Sequence, residues 1–107
     1  MSSLSSFYSS TEDPWDETNE QLINDGNEFI RQAMDLYKEV KIVHAIATPE
    51  EAAYRNHVLD TFERGLTCFQ VVAKRNGNKF ETYNHRKLLK DVFFGRVTVS
   101  ENGVNKI

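Results

Sequence analysis

Apolar residues recur at intervals of three and four along two long segments of this chain, and no other feature constrains its fold as strongly. Residues at this spacing share one face of an α-helix, and that face must be buried against another element. The first stripe runs from Leu22 to Val43 and predicts a helix over residues 16–46. The second stripe runs from Tyr54 to Ala73 and predicts a second long helix. Two amphipathic helices therefore form the framework of the fold.

The start and the end of the second helix are marked by local signals. The Thr48 side chain can accept a hydrogen bond from the third helical amide, Pro49 suits the first helical position, and Glu51 can reach back to close a capping box. Asn76-Gly77 offers a left-handed residue that ends a helix. The second helix is therefore predicted over residues 49–75.

Two weaker signals concern the packing and the start of these helices. Thr18 and Gln21 can form a capping box, so the first helix begins between Asp16 and Glu20. Gly65 lies inside the second helix, where glycine costs about 1 kcal/mol relative to alanine. Either the backbone of another helix passes close to Gly65 or the cost is tolerated.

The last part of the chain has two interpretations. Asn84 can cap a third helix with an apolar stripe, predicted over residues 84–100. Alternatively this helix stops at Gly95, and the β-branched residues 97–99 form a short β-ribbon around Asn102-Gly103. Because an isolated two-stranded ribbon is marginally stable in water, the sequence favours the helix.

Short connections at residues 46–48 and 76–83 place successive helices antiparallel. The predicted fold is all-α, an antiparallel up-down-up three-helix bundle over residues 13–107, preceded by a flexible Ser-rich leader over residues 1–12. The predicted core comprises Phe29, Ile30, Ala33, Tyr37, Val40, Leu59, Phe62, Leu66, Phe69, Val72, Leu88, Val92 and Val99.

Composition and charge limit the class of protein. The chain has 107 residues, of which 39% are hydrophobic, as expected of one domain. It has no apolar run that could span a membrane and no signal peptide, and its single cysteine, Cys68, excludes an internal disulfide. We therefore expect a cytoplasmic protein. The net charge of −3 is unevenly distributed along the chain. Residues 1–70 contain five Lys and Arg and thirteen Asp and Glu, so they are acidic. Residues 71–107 contain eight Lys and Arg and three Asp and Glu, so they are basic.

The titratable residues form no recognisable catalytic or metal-binding motif. His44, His57 and His85 lack the spacing of a helical metalloprotease site, and no glycine-rich phosphate loop or nucleophile elbow is present. Cys68 is interpreted as a small buried apolar residue. We expect no enzymatic activity, no cofactor, no metal and no small-molecule substrate.

Basic residues are concentrated near the start of the third helix, at Lys79, Arg86, Lys87 and Lys90. They could contact nucleic-acid phosphates, with neighbouring aromatic residues stacking on bases, or they could receive an acidic partner. The overall acidity of the chain argues against a dedicated nucleic-acid binder. Cations oppose the helix dipole at a helix start, which favours a role for Arg86 and Lys87 in binding a partner.

Two further sets of residues are candidates for partner binding. Asp13, Pro14 and Trp15 place an aromatic side chain between carboxylates; Trp15 either covers the end of the bundle or anchors a partner. Ile42 and Ile46, outside the apolar stripe of the first helix, could line a groove for a fourth helix.

The order of several motifs resembles that of one protein family. The chain resembles the amino-terminal domain of the syntaxin 6/Tlg1 group of SNARE proteins in four motifs that occur in the same order. These are Glu12-Asp13-Pro14-Trp15, the helix start from Thr48 to Glu51, the segment from Asn76 to Phe80, and the helix with Arg86-Lys87. The resemblance implies a three-helix Habc-like bundle that precedes a SNARE motif and a membrane anchor. It also implies vesicle trafficking between endosomes and the trans-Golgi, at the cytosolic face of those membranes, and binding of tethering or SNARE-regulatory proteins.

The sequence thus supports two hypotheses on function. The first is a non-catalytic domain for regulatory protein–protein interaction, similar to the amino-terminal domain of a trafficking SNARE. The alternative is a small adaptor that binds nucleic acid or an acidic surface through its basic last third.

Overall fold

A computed structural model describes residues 17–40, 48–82 and 84–107. These residues are mostly helical, and three helices are followed by a two-stranded antiparallel ribbon. Helix α1 spans Asn19–Val40, α2 spans Pro49–Arg75 and α3 spans His85–Phe93; strand β1 spans Val97–Ser100 and β2 spans Gly103–Lys106. The predicted leader, residues 1–12, lies outside the described residues. No helix in the described part of the chain is long and apolar enough to span a membrane.

Both predicted capping boxes are present. The amide of Gln21 donates to Thr18 Oγ1 at 3.1 Å and the amide of Thr18 donates to Gln21 Oε1 at 2.9 Å, so α1 begins at Asn19. At the start of α2, Thr48 and Glu51 form the same reciprocal pair, with Pro49 in the first turn. The predicted bounds of the second helix, 49–75, are confirmed. The end of the first helix predicted at residue 46 falls in residues 41–47, outside the described part.

Helix α2 ends in the way that its sequence predicts. Gly77 has a φ of 78°, its amide donates to Lys74 O at 3.0 Å, and the amide of Asn78 donates to Ala73 O at 2.8 Å. This pair of bonds is the Schellman motif, which satisfies carbonyls that the helix leaves unpaired.

The helix predicted over residues 84–100 is wrong, because α3 ends at Phe93. Gly95 adopts a φ of 74°, which a continuing helix does not allow. Its amide donates to Val92 O at 3.1 Å and the amide of Arg96 donates to Asp91 O at 2.8 Å, a second Schellman motif. The favoured interpretation underestimated Gly95 as a stop signal.

The alternative interpretation, a short ribbon, is the one observed. Val97 pairs with Lys106 and Ser100 with Gly103, and Gly103 takes a φ of 103° at the turn. The ribbon is not isolated, since β1 contacts all three helices and the Val97 side chain belongs to the main core. Burial of the ribbon against the helices supplies the stability that a free ribbon lacks.

Helices α1 and α2 approach each other closely at two glycines. A Cβ built on Gly65 would lie 3.0 Å from the carbonyl oxygen of Gly26, and one built on Gly26 would lie 2.6 Å from the ring of Phe69. The first of the two explanations for Gly65 is therefore correct: the backbone of another helix passes beside it.

The core has a main cluster among all elements and a smaller cluster between α1 and α2. Of the predicted core, six residues are buried and six are half-buried, while the side chain of Val40 is not described. The buried six are Ala33, Phe62, Leu66, Phe69, Val72 and Leu88, and the half-buried six are Phe29, Ile30, Tyr37, Leu59, Val92 and Val99. Buried apolar residues absent from the predicted core are Leu22, Val58, Cys68, Ala73, Leu89 and Val97.

Candidate functional site

The predicted partner-binding residues fall into two groups. Lys79, Arg86, Lys87 and Lys90 are exposed, and three of them lie on α3. The other group, residues 13–15 together with Ile42 and Ile46, lies outside the described residues. Of the predicted partner-binding residues, the structure therefore describes the basic ones.

Asn84 holds the start of α3, as predicted. Its side-chain oxygen accepts hydrogen bonds from the amides of Arg86 and Lys87, each at 3.1 Å. Neither Arg86 nor Lys90 forms an ion pair with another residue in the described part of the chain. These two side chains therefore place positive charge on the surface of α3.

Lys87 differs from its neighbours because it has an internal partner. Its Nζ donates to Asp91 Oδ2 at 2.8 Å, and Arg96 Nη1 donates to the other carboxylate oxygen at 3.2 Å. The hydrogen bond from Lys87 and that from Arg96 lower the pKa of Asp91, although burial acts in the opposite direction. The network joins α3 to the chain that enters β1. The spacing of four between Lys87 and Asp91 was visible in the sequence, but the approach of Arg96 depends on the turn at Gly95.

A hydrogen-bonded chain of three side chains connects α2 to the start of α3. His85 Nδ1 lies 2.7 Å from Glu63 Oε2, and His85 Nε2 lies 2.9 Å from Thr82 Oγ1. Glu63 lies on α2, whereas Thr82 and His85 lie just before and at the start of α3. We interpret the chain of side chains as an anchor for α3.

An open groove of about 420 Å³ lies among the three helices and includes Arg86. We call it the three-helix groove. Its lining consists of Tyr37 from α1, of Ala52, Arg55, Asn56, Val58 and Leu59 from α2, and of Arg86 and Leu89 from α3.

Ring contacts and a hydrogen bond connect the helices that line the three-helix groove. The Tyr37 ring meets the Phe93 ring edge-on, with 4.7 Å between centroids, and Phe93 in turn meets Phe94. The Tyr54 hydroxyl donates to Leu36 O at 3.1 Å and joins α1 to α2 close to the groove. The groove is thus built on ordered helices, as binding clefts generally are.

Two arginines give the three-helix groove its charge. Arg55 is half-buried on α2, and Arg86 is exposed on α3. Arg55 was missed in the sequence because it belongs to the acidic two thirds of the chain, and only tertiary packing brings it to the same groove as Arg86.

Two observations concern metal binding and the single cysteine. The described residues contain no group of three or more His, Cys, Asp or Glu side chains that could hold a metal ion. Cys68 is fully buried, and burial raises the pKa of its thiol to about 12. A thiol in this state is a poor nucleophile at neutral pH.

Comparison of the chain with protein-family models, with curated proteins and with solved structures gives no match.

Proposed function

We propose that this chain is a non-catalytic protein-interaction domain that receives an acidic segment of a partner protein at α3. The observation that carries the proposal is the position of Arg86 and Lys90, exposed on a nine-residue helix without an ion-pair partner among the described residues. Lys79, in the segment before α3, is also exposed. Interfacial charges of one sign steer an oppositely charged partner and raise its association rate.

The stability of the domain does not account for a cation at position 86. Arg86 lies in the first turn of α3, where the helix dipole disfavours positive charge. Lys87, in the same turn, is offset by Asp91, whereas Arg86 is not. An arginine at this position gains most from an anion supplied by another molecule.

We further propose the finer architecture and role that the resemblance implies, a Habc-like up-down-up bundle of a trafficking SNARE. Contacts near both ends of α1 support the up-down part: Arg75 donates to Glu17 O at 2.7 Å, and Tyr54 donates to Leu36 O. The nine residues of α3 are fewer than a bundle of three long helices requires. A heptad SNARE segment encoded after residue 107 would support this role, and its absence from the gene would reject it.

The interaction role is tested with a fluorescent peptide of glutamates and serines as the acidic probe. Binding is followed by anisotropy over a series of salt concentrations, with the double variant Arg86→Glu/Lys90→Glu. The double variant Arg64→Glu/Lys106→Glu makes the same change in net charge at exposed positions elsewhere. We expect only the first variant to weaken binding. Lys87 is left unchanged because a glutamate there would face Asp91.

The nucleic-acid alternative is an outcome of the same experiment. A single-stranded oligonucleotide replaces the acidic peptide, and the slope of affinity against salt counts the phosphates that are neutralised. Tight and salt-steep binding of arbitrary oligonucleotides, without binding of the acidic peptide, would replace the protein partner by nucleic acid.

A further inference from the structure

The hydrogen-bond pattern of the β-ribbon shows which backbone groups of β2 point outward. In an antiparallel pair of strands, hydrogen-bonded pairs alternate with pairs that exchange no hydrogen bond. The amide of Ile107 donates to Arg96 O at 3.1 Å, which fixes the phase of this alternation. Lys106 and Val104 then belong to pairs that exchange no hydrogen bond across the ribbon. Their amides and carbonyls therefore point away from β1.

These four backbone groups form an unpaired edge of the ribbon. No hydrogen bond within the described part of the chain reaches the outward amides and carbonyls of Val104 and Lys106. Val104 is half-buried and Lys106 is exposed, so the edge reaches the surface. An edge with unpaired amides and carbonyls is a template for one further strand.

A groove of about 360 Å³ lies between the ribbon and the segment that precedes α3. We call it the ribbon groove. Gln70 Nε2 donates to Phe80 O at 3.4 Å and connects this segment to α2. The lining of the ribbon groove includes Lys79, Phe80 and Glu81 from the segment and Val104 and Lys106 from β2. Both residues with outward backbone groups thus line a space that an additional chain can enter.

Two lysines give the ribbon groove its charge. Lys79 and Lys106 are exposed, and neither forms an ion pair within the described residues. Glu81, also exposed, supplies one opposing charge. A partner strand with carboxylates matches this excess of positive charge. A second copy of this chain fits less well, because pairing of two β2 edges would bring the Lys106 side chains of both copies close together.

We propose that the outer edge of β2 binds an extended acidic segment of a partner protein as a third strand of the ribbon. The backbone of the segment pairs with the outward amides and carbonyls of Val104 and Lys106. Its carboxylates lie beside Lys79 and Lys106. The proposal goes beyond the proposed function, since it uses backbone groups of the ribbon and does not depend on Arg86 or Lys90.

The test uses the whole 107-residue chain and a labelled synthetic peptide as probe. The peptide has about seven residues, with valine and threonine alternating and a glutamate near each end. Two derivatives carry N-methyl groups on alternate amides, so that each derivative is blocked along one edge of the extended peptide. Fluorescence anisotropy gives the affinities. We expect one derivative to lose at least about tenfold in affinity and the other to bind as the parent peptide does.

Protein variants then locate the binding. Lys106→Pro removes one outward amide but no hydrogen bond of the ribbon, a position at which an edge strand tolerates proline. Lys106→Gln keeps the amide and removes only the charge. We expect the proline variant to weaken binding by about tenfold and the glutamine variant by about threefold. Arg64→Gln, exposed on α2 outside the lining of the ribbon groove, should bind as the wild type does. Circular dichroism confirms that each variant is folded.

The peptide derivatives decide the proposal even where a protein variant fails to fold. If no extended peptide binds, or if both N-methylated derivatives keep or lose affinity equally, strand pairing is rejected. If Lys106→Gln weakens binding as much as Lys106→Pro, charge alone accounts for binding and the proposal is wrong. If the chain forms a dimer in sedimentation velocity that Lys106→Pro abolishes, a second copy occupies the edge instead of a partner.

The double variant Arg86→Glu/Lys90→Glu separates this proposal from the proposed function. We expect this variant to bind the extended peptide as the wild type does. If it loses the extended peptide, that peptide binds at α3, so the edge proposal fails and the interaction role stands. If the glutamate–serine peptide fails to bind the wild type while the extended peptide shows the expected N-methyl pattern, the interaction role fails and the edge proposal stands.

Discussion

Substitution of Gly26 by alanine should reverse the usual effect of that change. In an open helix position, alanine is more stable than glycine by about 1 kcal/mol. At Gly26, however, a Cβ would lie 2.6 Å from Phe69 Cε1 and 2.9 Å from two further ring atoms. The ring is fully buried and has no room to withdraw. Overpacking of this kind costs about 1–3 kcal/mol, so Gly26→Ala should destabilise the domain by up to about 2 kcal/mol.

The cause is isolated by a double-mutant cycle with Phe69→Leu. The smaller side chain opens space for the new methyl group, so Gly26→Ala should stabilise the Phe69→Leu protein by about 1 kcal/mol. Urea unfolding followed by far-ultraviolet circular dichroism measures the four free energies, and an unchanged m-value shows that stability alone has altered. If Gly26→Ala stabilises the wild type, or if the two changes are additive, the close packing of α1 on the Phe69 ring is refuted.

Three further predictions concern the core, the network at the end of α3 and the cysteine. Phe62→Ala should lower the free energy of unfolding by about 3–5 kcal/mol, because the ring is fully buried, and a wild-type melting temperature would reject its place in the core. The pKa of Asp91 is lowered below its usual 3.8, so its contribution to stability is complete above pH 3.8 and is lost as pH falls through the folded pKa. The difference in stability between wild type and Asp91→Asn should therefore shrink at acid pH; a constant difference would contradict the ion-pair network. The Cys68 thiol should react with a thiol reagent only as fast as the protein opens, and reaction at the rate of a free thiol in native buffer would show that Cys68 is accessible.

Local chemistry explains why much of the fold could be predicted from the sequence. The Thr48 capping box and the left-handed Gly77 involve residues that are close in sequence, and their bonds form whatever else packs nearby. The stripe on α2 likewise predicted the buried positions of Phe62 and Leu66. The error at α3 arose where local signals conflicted, since an apolar stripe continued past Gly95.

Some features of the fold and of the candidate site follow from local sequence, and others depend on tertiary packing. The sequence by itself determined the two long helices, the cap at Asn84 and the basic residues of α3, because helix caps and amphipathic spacing act within a few residues. Only the tertiary structure decided that the ribbon is stable, since its stability comes from burial of Val97 against helices distant in sequence. Tertiary packing also brought Arg55 and Arg86 into the lining of one groove. No periodicity within a single segment encodes such a pair, because it depends on how two helices pack together.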